Sequence, residues 1–277
     1  MIRSHRLPCM MVLYCLALLI TKNLQAETPT ADHLFPNLPY RTDDETLDDY
    51  ARTQCRIDLS IPPGKKDFPT VIWFHGGGLT DGKKSVPKPL LNQGLGVAAV
   101  EYRFSPHVPV TTCIDDAAAA TAWIFREIDK YGGSPNKIII SGASAGGYLS
   151  LMVSLDPKWL AKYNINPNQL AGIAPFTGQT ITHMASRAER QIPKTQPLVD
   201  ELAPLYHVRK DAPPILLMTG DRELEMLGRY EENAYLYRML KVVGHPDVTL
   251  IEFPGFNHSM SAPAYPHLLK FVERVTK

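Results

Sequence analysis

Lys137-Ile138-Ile139-Ile140-Ser141-Gly142-Ala143-Ser144-Ala145-Gly146 is the stretch on which the reading of this chain turns. A β-branched apolar run that meets small residues describes a buried strand carrying a serine to its tip. Tyr148, Leu151, Met152 and Val153 follow with helical character. A strand that turns at once into a helix forces the residue between them into strained backbone geometry, and Gly142 and Gly146 relieve the crowding of that turn. The Ser144 hydroxyl is then held clear of the sheet, above a helix N-terminus. Gly-x-Ser-x-Gly alone is a weak signal, because small residues are common in turns. The strand before it and the helix after it make Ser144 a candidate nucleophile.

Working outward, apolar segments recur on both sides. Cys55–Ile61 alternates as a first strand and ends at Pro62-Pro63-Gly64. Thr70–Phe74, Val97–Tyr102, Leu170–Phe176, Pro214–Met218 and Val248–Phe253 read as further strands. Helical spacing marks Cys113–Tyr131, Tyr230–Val243 and Leu268–Val275. This alternation predicts an α/β fold, a mostly parallel sheet with helices on both faces. Glu27–Tyr50 is polar and proline-bearing and reads as an extended lead-in with a short helical turn, lying over the surface. Residues 177–206 lose regular pattern and read as a short lid inserted over the strand ends.

The 277 residues suit one large α/β domain, with 44% hydrophobic and 21% charged residues. The formal net charge of +1 gives no electrostatic case for nucleic acid or an anionic membrane surface. Residues 1–26 have a secretory layout: Arg3 and Arg6, the apolar run Met10–Ile20, then Ala26 as a small residue for cleavage. The run is too short to span a bilayer comfortably, so the expectation is a signal peptide, one α/β domain over 27–277 and no integral span after cleavage. Its removal takes Arg3, Arg6 and Lys22 and leaves 26 basic against 28 acidic side chains, a nearly neutral exported protein. Cys9 and Cys15 leave with it. Cys55 and Cys113 remain, as two separate buried thiols or, in an oxidising compartment, as a pair. No CxxC and no zinc-type ligand cluster occurs, so a catalytic metal is not expected.

A serine hydroxyl needs a base beside it and an acid to orient that base. His258 lies in the loop Gly255-Phe256-Asn257-His258-Ser259 after the last strand, ahead of the last helix, where it faces the same sheet edge as Ser144. His33, His107, His183, His207, His245 and His267 read as structural. The acid comes from Asp221-Arg222-Glu223-Leu224-Glu225, after the strand ending at Met218. Upstream, Thr70–Phe74 runs into His75-Gly76-Gly77-Gly78, where successive glycines let the backbone turn its N–H groups toward a ligand.

Together, the serine motif, the HGGG loop and the order Ser…acid…His resemble the α/β-hydrolase fold. Within it the chain is similar to hormone-sensitive-lipase-like carboxylesterases and related acetyl- and feruloyl-esterases, over about residues 50–277. In many relatives the acid is an aspartate three residues after the glycine ending its strand. Here that position, counted from Gly220, is Glu223, with Asp221 as runner-up and Glu225 third. The resemblance implies oxyanion donors at the N–H groups of Gly77, Gly78 and Ala145, with His75, Gly76, Gly142 and Gly146 as supporting motif residues. It implies a serine carboxylesterase without cofactor, acting on short-chain acyl esters or acyl groups on carbohydrate. A prolyl-oligopeptidase-like peptidase and an inactive binding protein on the same fold are the alternatives. Oligomeric state is not legible.

Overall fold

Strand β5 (Gly133–Ala143) lies at the middle of an eight-stranded sheet in the computed structural model, which describes Met1, residues 31–41 and 47–277. Apart from Met1, the expected signal segment 1–26, with Cys9 and Cys15, lies outside the described residues. In chain order the elements are β1 (His33–Pro39), α1 (Asp49–Gln54), β2 (Arg56–Ile61), β3 (Phe68–Phe74), β4 (Gly96–Val100) and α2 (Val110–Glu127) before β5. After it come α3 (Ala145–Leu155), α4 (Lys158–Ala161), β6 (Gly172–Phe176), α5 (Met184–Glu189), β7 (Ile215–Gly220), α6 (Arg229–Val242), β8 (Val248–Phe253) and α7 (Ser261–Val275). The strand order is β1-β2-β4-β3-β5-β6-β7-β8. β1 with β2 and β2 with β4 are antiparallel, and every pairing from β4 through β8 is parallel.

The central strands are apolar on both faces because both faces are covered. Ile138 and Ile140 join one core with Ile72, Phe74, Ala98 and Val100, beneath Ile114 and Ala118 of α2 and Leu149 and Met152 of α3. Ile139 points the other way, with Val71, Trp73, Val97 and Met218, against Leu268, Phe271 and Val272 of α7. The period of two along a strand sends alternate residues into different layers. This is the expected α/β-hydrolase sheet.

Two expectations need correction. The lead-in does not simply lie over the surface, because His33–Pro39 is a paired edge strand whose register runs from His33↔Ile61 to Pro39↔Arg56. An edge strand exposed along most of its length carries neither alternation nor an apolar run, so nothing in its composition marks it. The last helix begins at Ser261 rather than Leu268 and contains Pro266. Its first turns lack the apolar spacing that the later ones have.

Cys55 and Cys113 are separate buried thiols, and burial pushes each up to about 12. The segment 177–206 is fastened rather than loose. Thr180 N donates to Glu232 Oε2 (3.0 Å) and Tyr148 Oη donates to the Leu202 carbonyl (2.8 Å). Glu189 Oε1 accepts from Ser105 Oγ (2.9 Å) and from Val110 N (2.8 Å) at the start of α2.

Candidate functional site

Parallel strands with helical crossovers leave their carboxyl ends facing one edge, and ligands bind there in open α/β sheets. The loops leaving β3, β5, β7 and β8 at that edge bring His75–Gly78, Ser144, the 221–228 loop and His258 into one neighbourhood.

Ser144 separates β5 from α3 with φ 55° and ψ −113°, a left-handed value that a residue with a Cβ seldom adopts. Its surroundings leave it no alternative. The Ser144 N–H donates to the Phe176 carbonyl (2.8 Å), and its own carbonyl accepts from Tyr148 N (3.0 Å) as the first turn of α3. The motif glycines are required by close approach. A Cβ on Gly142 would lie 2.6 Å from the Phe74 carbonyl oxygen, and one on Gly146 would overlap that same oxygen. The serine turn is thus wedged against the end of β3.

His258 Nε2 lies 2.9 Å from Ser144 Oγ. On its other side, Nδ1 lies 2.5 Å from Glu225 Oε1. Glu225, third in the sequence ranking, is the carboxylate that reaches the histidine. Glu223 does not: it is exposed, and its backbone N–H donates to Asp221 Oδ1 (2.9 Å). Asp221 is occupied in bracing the two loops. Its Oδ2 accepts from Gly255 N (2.7 Å), and its own N–H donates to the Phe256 carbonyl (2.7 Å). After Gly220 the chain coils, with Leu224 N and Glu225 N both donating to the Asp221 carbonyl (3.0 and 2.8 Å). That turn carries residue 225, and not 223, back over the strand end. The hydrogen bonds of Asp221 are its cause, and counting from Gly220 does not reveal it.

The Glu225 side chain is 1% exposed. Its Oε1 also accepts from Met226 N (3.0 Å) and its Oε2 from Gly220 N (3.2 Å). Burial pushes this carboxyl up, but the bonds from His258, Met226 and Gly220 outweigh burial and hold it below the usual glutamate range. An ionised carboxylate on Nδ1 fixes the imidazole so that Nε2 presents a lone pair to the serine.

The HGGG loop packs onto this turn. A Cβ on Gly76 would lie 3.5 Å from Ser144 Cβ, and Gly77, at φ 116°, has room for none because it would overlap the Asp81 carbonyl. Ala145 is the first residue of α3, where a backbone N–H has no acceptor within its own helix. Gly178 meets Gly147 backbone to backbone, with a Cβ on Gly178 lying 2.8 Å from Gly147 C. Arg229 Nη1 donates to the Thr177 carbonyl (2.5 Å), which anchors the chain beside the serine helix. Among the described residues no three His, Cys, Asp or Glu side chains converge as a metal site, and no helix is long and apolar enough to cross a membrane.

The BD-FAE family pattern matches residues 57–226, well over half of the chain. The chain belongs to the BD-FAE family. Among curated proteins, this BD-FAE chain is 26% identical to Esterase LipC of Mycobacterium tuberculosis over 222 residues, 70% of this chain and 55% of that one. It is 29% identical over 213 residues to the probable carboxylic ester hydrolase LipM of the same organism, 69% of this chain and 49% of that one. The chain thus spans about half the length of the curated relatives it matches. Two solved structures share the fold. A truncated carbohydrate esterase from gut microbiota superposes with TM-score 0.73 at 19% identity, over 90% of this chain and 98% of that one. Thermogutta terrifontis esterase 2, in a form phosphonylated by sarin, gives 0.66 at 22% identity, over 79% and 88%.

Proposed function

We propose that this chain is an exported serine carboxylic-ester hydrolase in which Ser144, His258 and Glu225 form the triad. The observation that carries the reading is the pair of contacts made by His258, Nε2 on Ser144 Oγ at 2.9 Å and Nδ1 on Glu225 at 2.5 Å. Nucleophile, base and orienting acid stand in the order that acyl transfer uses.

Ser144 Oγ attacks the ester carbonyl carbon as its proton passes to His258 Nε2, and the carbonyl π electrons move onto oxygen. The N–H groups of Gly77, Gly78 and Ala145 receive that oxyanion, a charge that exists only in the tetrahedral state. Collapse breaks the bond to the alcohol oxygen, which takes the proton from His258 and leaves an acyl-serine. Water, deprotonated by His258, then attacks the acyl carbon, and the acid departs as the proton returns to Ser144. Glu225 remains ionised throughout and balances the imidazolium that forms twice in each cycle.

For substrate class, the names of the relatives favour esters over peptides, and the gut carbohydrate esterase favours short acyl groups carried on carbohydrate. Export rests on the layout of residues 1–26. The test is initial rates of the purified protein on p-nitrophenyl esters from acetate to decanoate, with feruloyl and acetylated-xylan substrates alongside. Wild type should hydrolyse the short esters and label with a fluorophosphonate, and Ser144→Ala should do neither. Ester turnover surviving in Ser144→Ala would defeat the proposal.

A further inference from the structure

His75 opens the HGGG loop, and its ring sits in a buried pocket beside Glu101 and Tyr102. The side chain is 7% exposed, and both ring nitrogens face oxygens. Nε2 lies 2.7 Å from Glu101 Oε1, and Nδ1 lies 2.6 Å from the Gly76 carbonyl oxygen. A carbonyl oxygen only accepts, so Nδ1 must carry a hydrogen. A neutral imidazole has one N–H, which would leave the Nε2 lone pair against a carboxylate oxygen at hydrogen-bond distance. Two acceptors therefore require a second proton in the contact between Nε2 and Glu101.

We infer that His75 and Glu101 form a two-proton pair that sets the shape of the Gly76–Gly78 loop. One proton stays on Nδ1 and grips the Gly76 carbonyl. The other lies between Nε2 and Glu101. The inference rests on the catalytic reading above, in which that loop supplies oxyanion donors, and it makes His75 and Glu101 positioning residues.

The pocket is built for this pair. Glu101 Oε2 accepts from Lys84 N (2.9 Å), the Glu101 N–H donates to the Arg56 carbonyl (2.9 Å), and the Glu101 carbonyl accepts from Tyr40 Oη (2.9 Å). The Tyr102 ring stacks on His75 at 4.5 Å and 12°, and its Oη donates to the His75 carbonyl (2.9 Å). A Cβ on Gly82 would lie 2.6 Å from His75 Cε1, so the far rim of the ring is closed by backbone. The ionisable groups around the pair are accounted for. Asp81 Oδ1 accepts from Gly82 N (2.6 Å), Lys84 Nζ pairs with Asp58 (2.9 Å), and burial holds the phenols of Tyr40 and Tyr102 well above their ordinary range. None supplies the second proton, so it belongs to His75 and Glu101. The loop reaches the site through adjacent bonds, since the gripped carbonyl belongs to Gly76 and the next two residues carry the oxyanion N–H groups.

Glutamine at 101 makes a sharp test. Its amide can donate to Nε2 and still accept from Lys84 N, leaving Nδ1–H on Gly76 without an exchangeable second proton. Alanine can do neither. Wild type, Glu101→Gln and Glu101→Ala are compared for kcat and KM on p-nitrophenyl acetate across pH, and for Ser144 labelling by a fluorophosphonate. Histidine-selective 15N NMR reads the ring nitrogens of His75, assigned with His75→Asn. Wild type should show hydrogen on Nδ1 and a second proton at Nε2 or shared with Glu101. Glu101→Ala should lose about 10²-fold in kcat, the order seen when an oxyanion donor is removed, with KM little changed. Glu101→Gln should recover most of that loss. A bare Nδ1 in wild type, or equal losses in the glutamine and alanine variants, overturns the pair. A wild type that fails to label or turn over esters would instead overturn the catalytic reading, so the two failures are distinct.

Discussion

Replacing Glu225 by glutamine changes one atom, and the structure shows what that atom must do. Three donors converge on the carboxylate: His258 Nδ1 and Met226 N on Oε1, Gly220 N on Oε2. A carboxylate satisfies all three, whereas an amide has one accepting oxygen. If the NH2 replaces Oε1, it confronts the Met226 N–H and donates to Nδ1, so the imidazole hydrogen moves to Nε2 and faces Ser144 Oγ. A base in that tautomer cannot take the serine proton, a fault that costs about 10⁴-fold in kcat in serine peptidases. If the NH2 replaces Oε2, it confronts the Gly220 N–H in a buried site at a cost of about 1–3 kcal/mol, and the imidazolium loses its counter-charge. Either orientation gives a loss in kcat/KM of about 10³–10⁴-fold, equivalent to roughly 4–5.5 kcal/mol. The assay is p-nitrophenyl acetate hydrolysis by Glu225→Gln, Glu223→Gln and Asp221→Asn, with thermal melts confirming that each is folded. Glu223→Gln should match wild type, because its carboxylate is exposed. Asp221→Asn should fall between them, through slackening of the bond to Gly255 N. Full activity in Glu225→Gln with collapse in Glu223→Gln would refute the geometry on which the triad rests.

Further outcomes follow from single contacts. The φ of 55° at Ser144 is strain that glycine relieves and alanine does not. Ser144→Gly should therefore be inactive yet more stable than Ser144→Ala, by about 1 kcal/mol or about 2–4 °C in Tm. Gly146→Ala drives a methyl into the Phe74 carbonyl and should yield little folded protein, measured as soluble yield and melting temperature against Gly64→Ala, which meets nothing within 4 Å and carries only the strain of a φ of 68°. His183 is buried, and burial first, then Arg229 and Arg187, push it down to about 3. The folded protein keeps it neutral while the unfolded chain takes up its proton below about pH 6.5, so stability falls as pH falls, by about 2 kcal/mol at about pH 5. His183→Asn, which keeps an acceptor for Ala185 N, should remove that slope in urea melts between neutral and acid pH.

The sheet was legible in the chain because its middle strands are doubly buried and so read as continuous apolar runs. That Ser144 and His258 meet at one sheet edge was legible because each follows such a run and precedes a helix. Which carboxylate meets His258 was not, since Asp221, Glu223 and Glu225 differ by a coil of the loop that Asp221 itself directs. β1 was missed for the opposite reason to the core strands: with a neighbour on one side only, it is exposed along most of its length. The buried polar side chains of the insertion, Thr180, Thr182, His183 and Arg187, look like surface composition until their partners across the fold are known.

The fastenings of residues 177–206 to α2, α3 and α6 bear on how this molecule meets insoluble substrate. An enzyme whose cover swings aside at an oil–water boundary shows a jump in rate as substrate passes its solubility limit. Here residues 177–206 are stitched down by Glu189 at Ser105 and Val110, by Leu202 at Tyr148 and by Thr180 at Glu232. On the esterase reading proposed above, turnover should then track dissolved ester alone and level off where the emulsion begins.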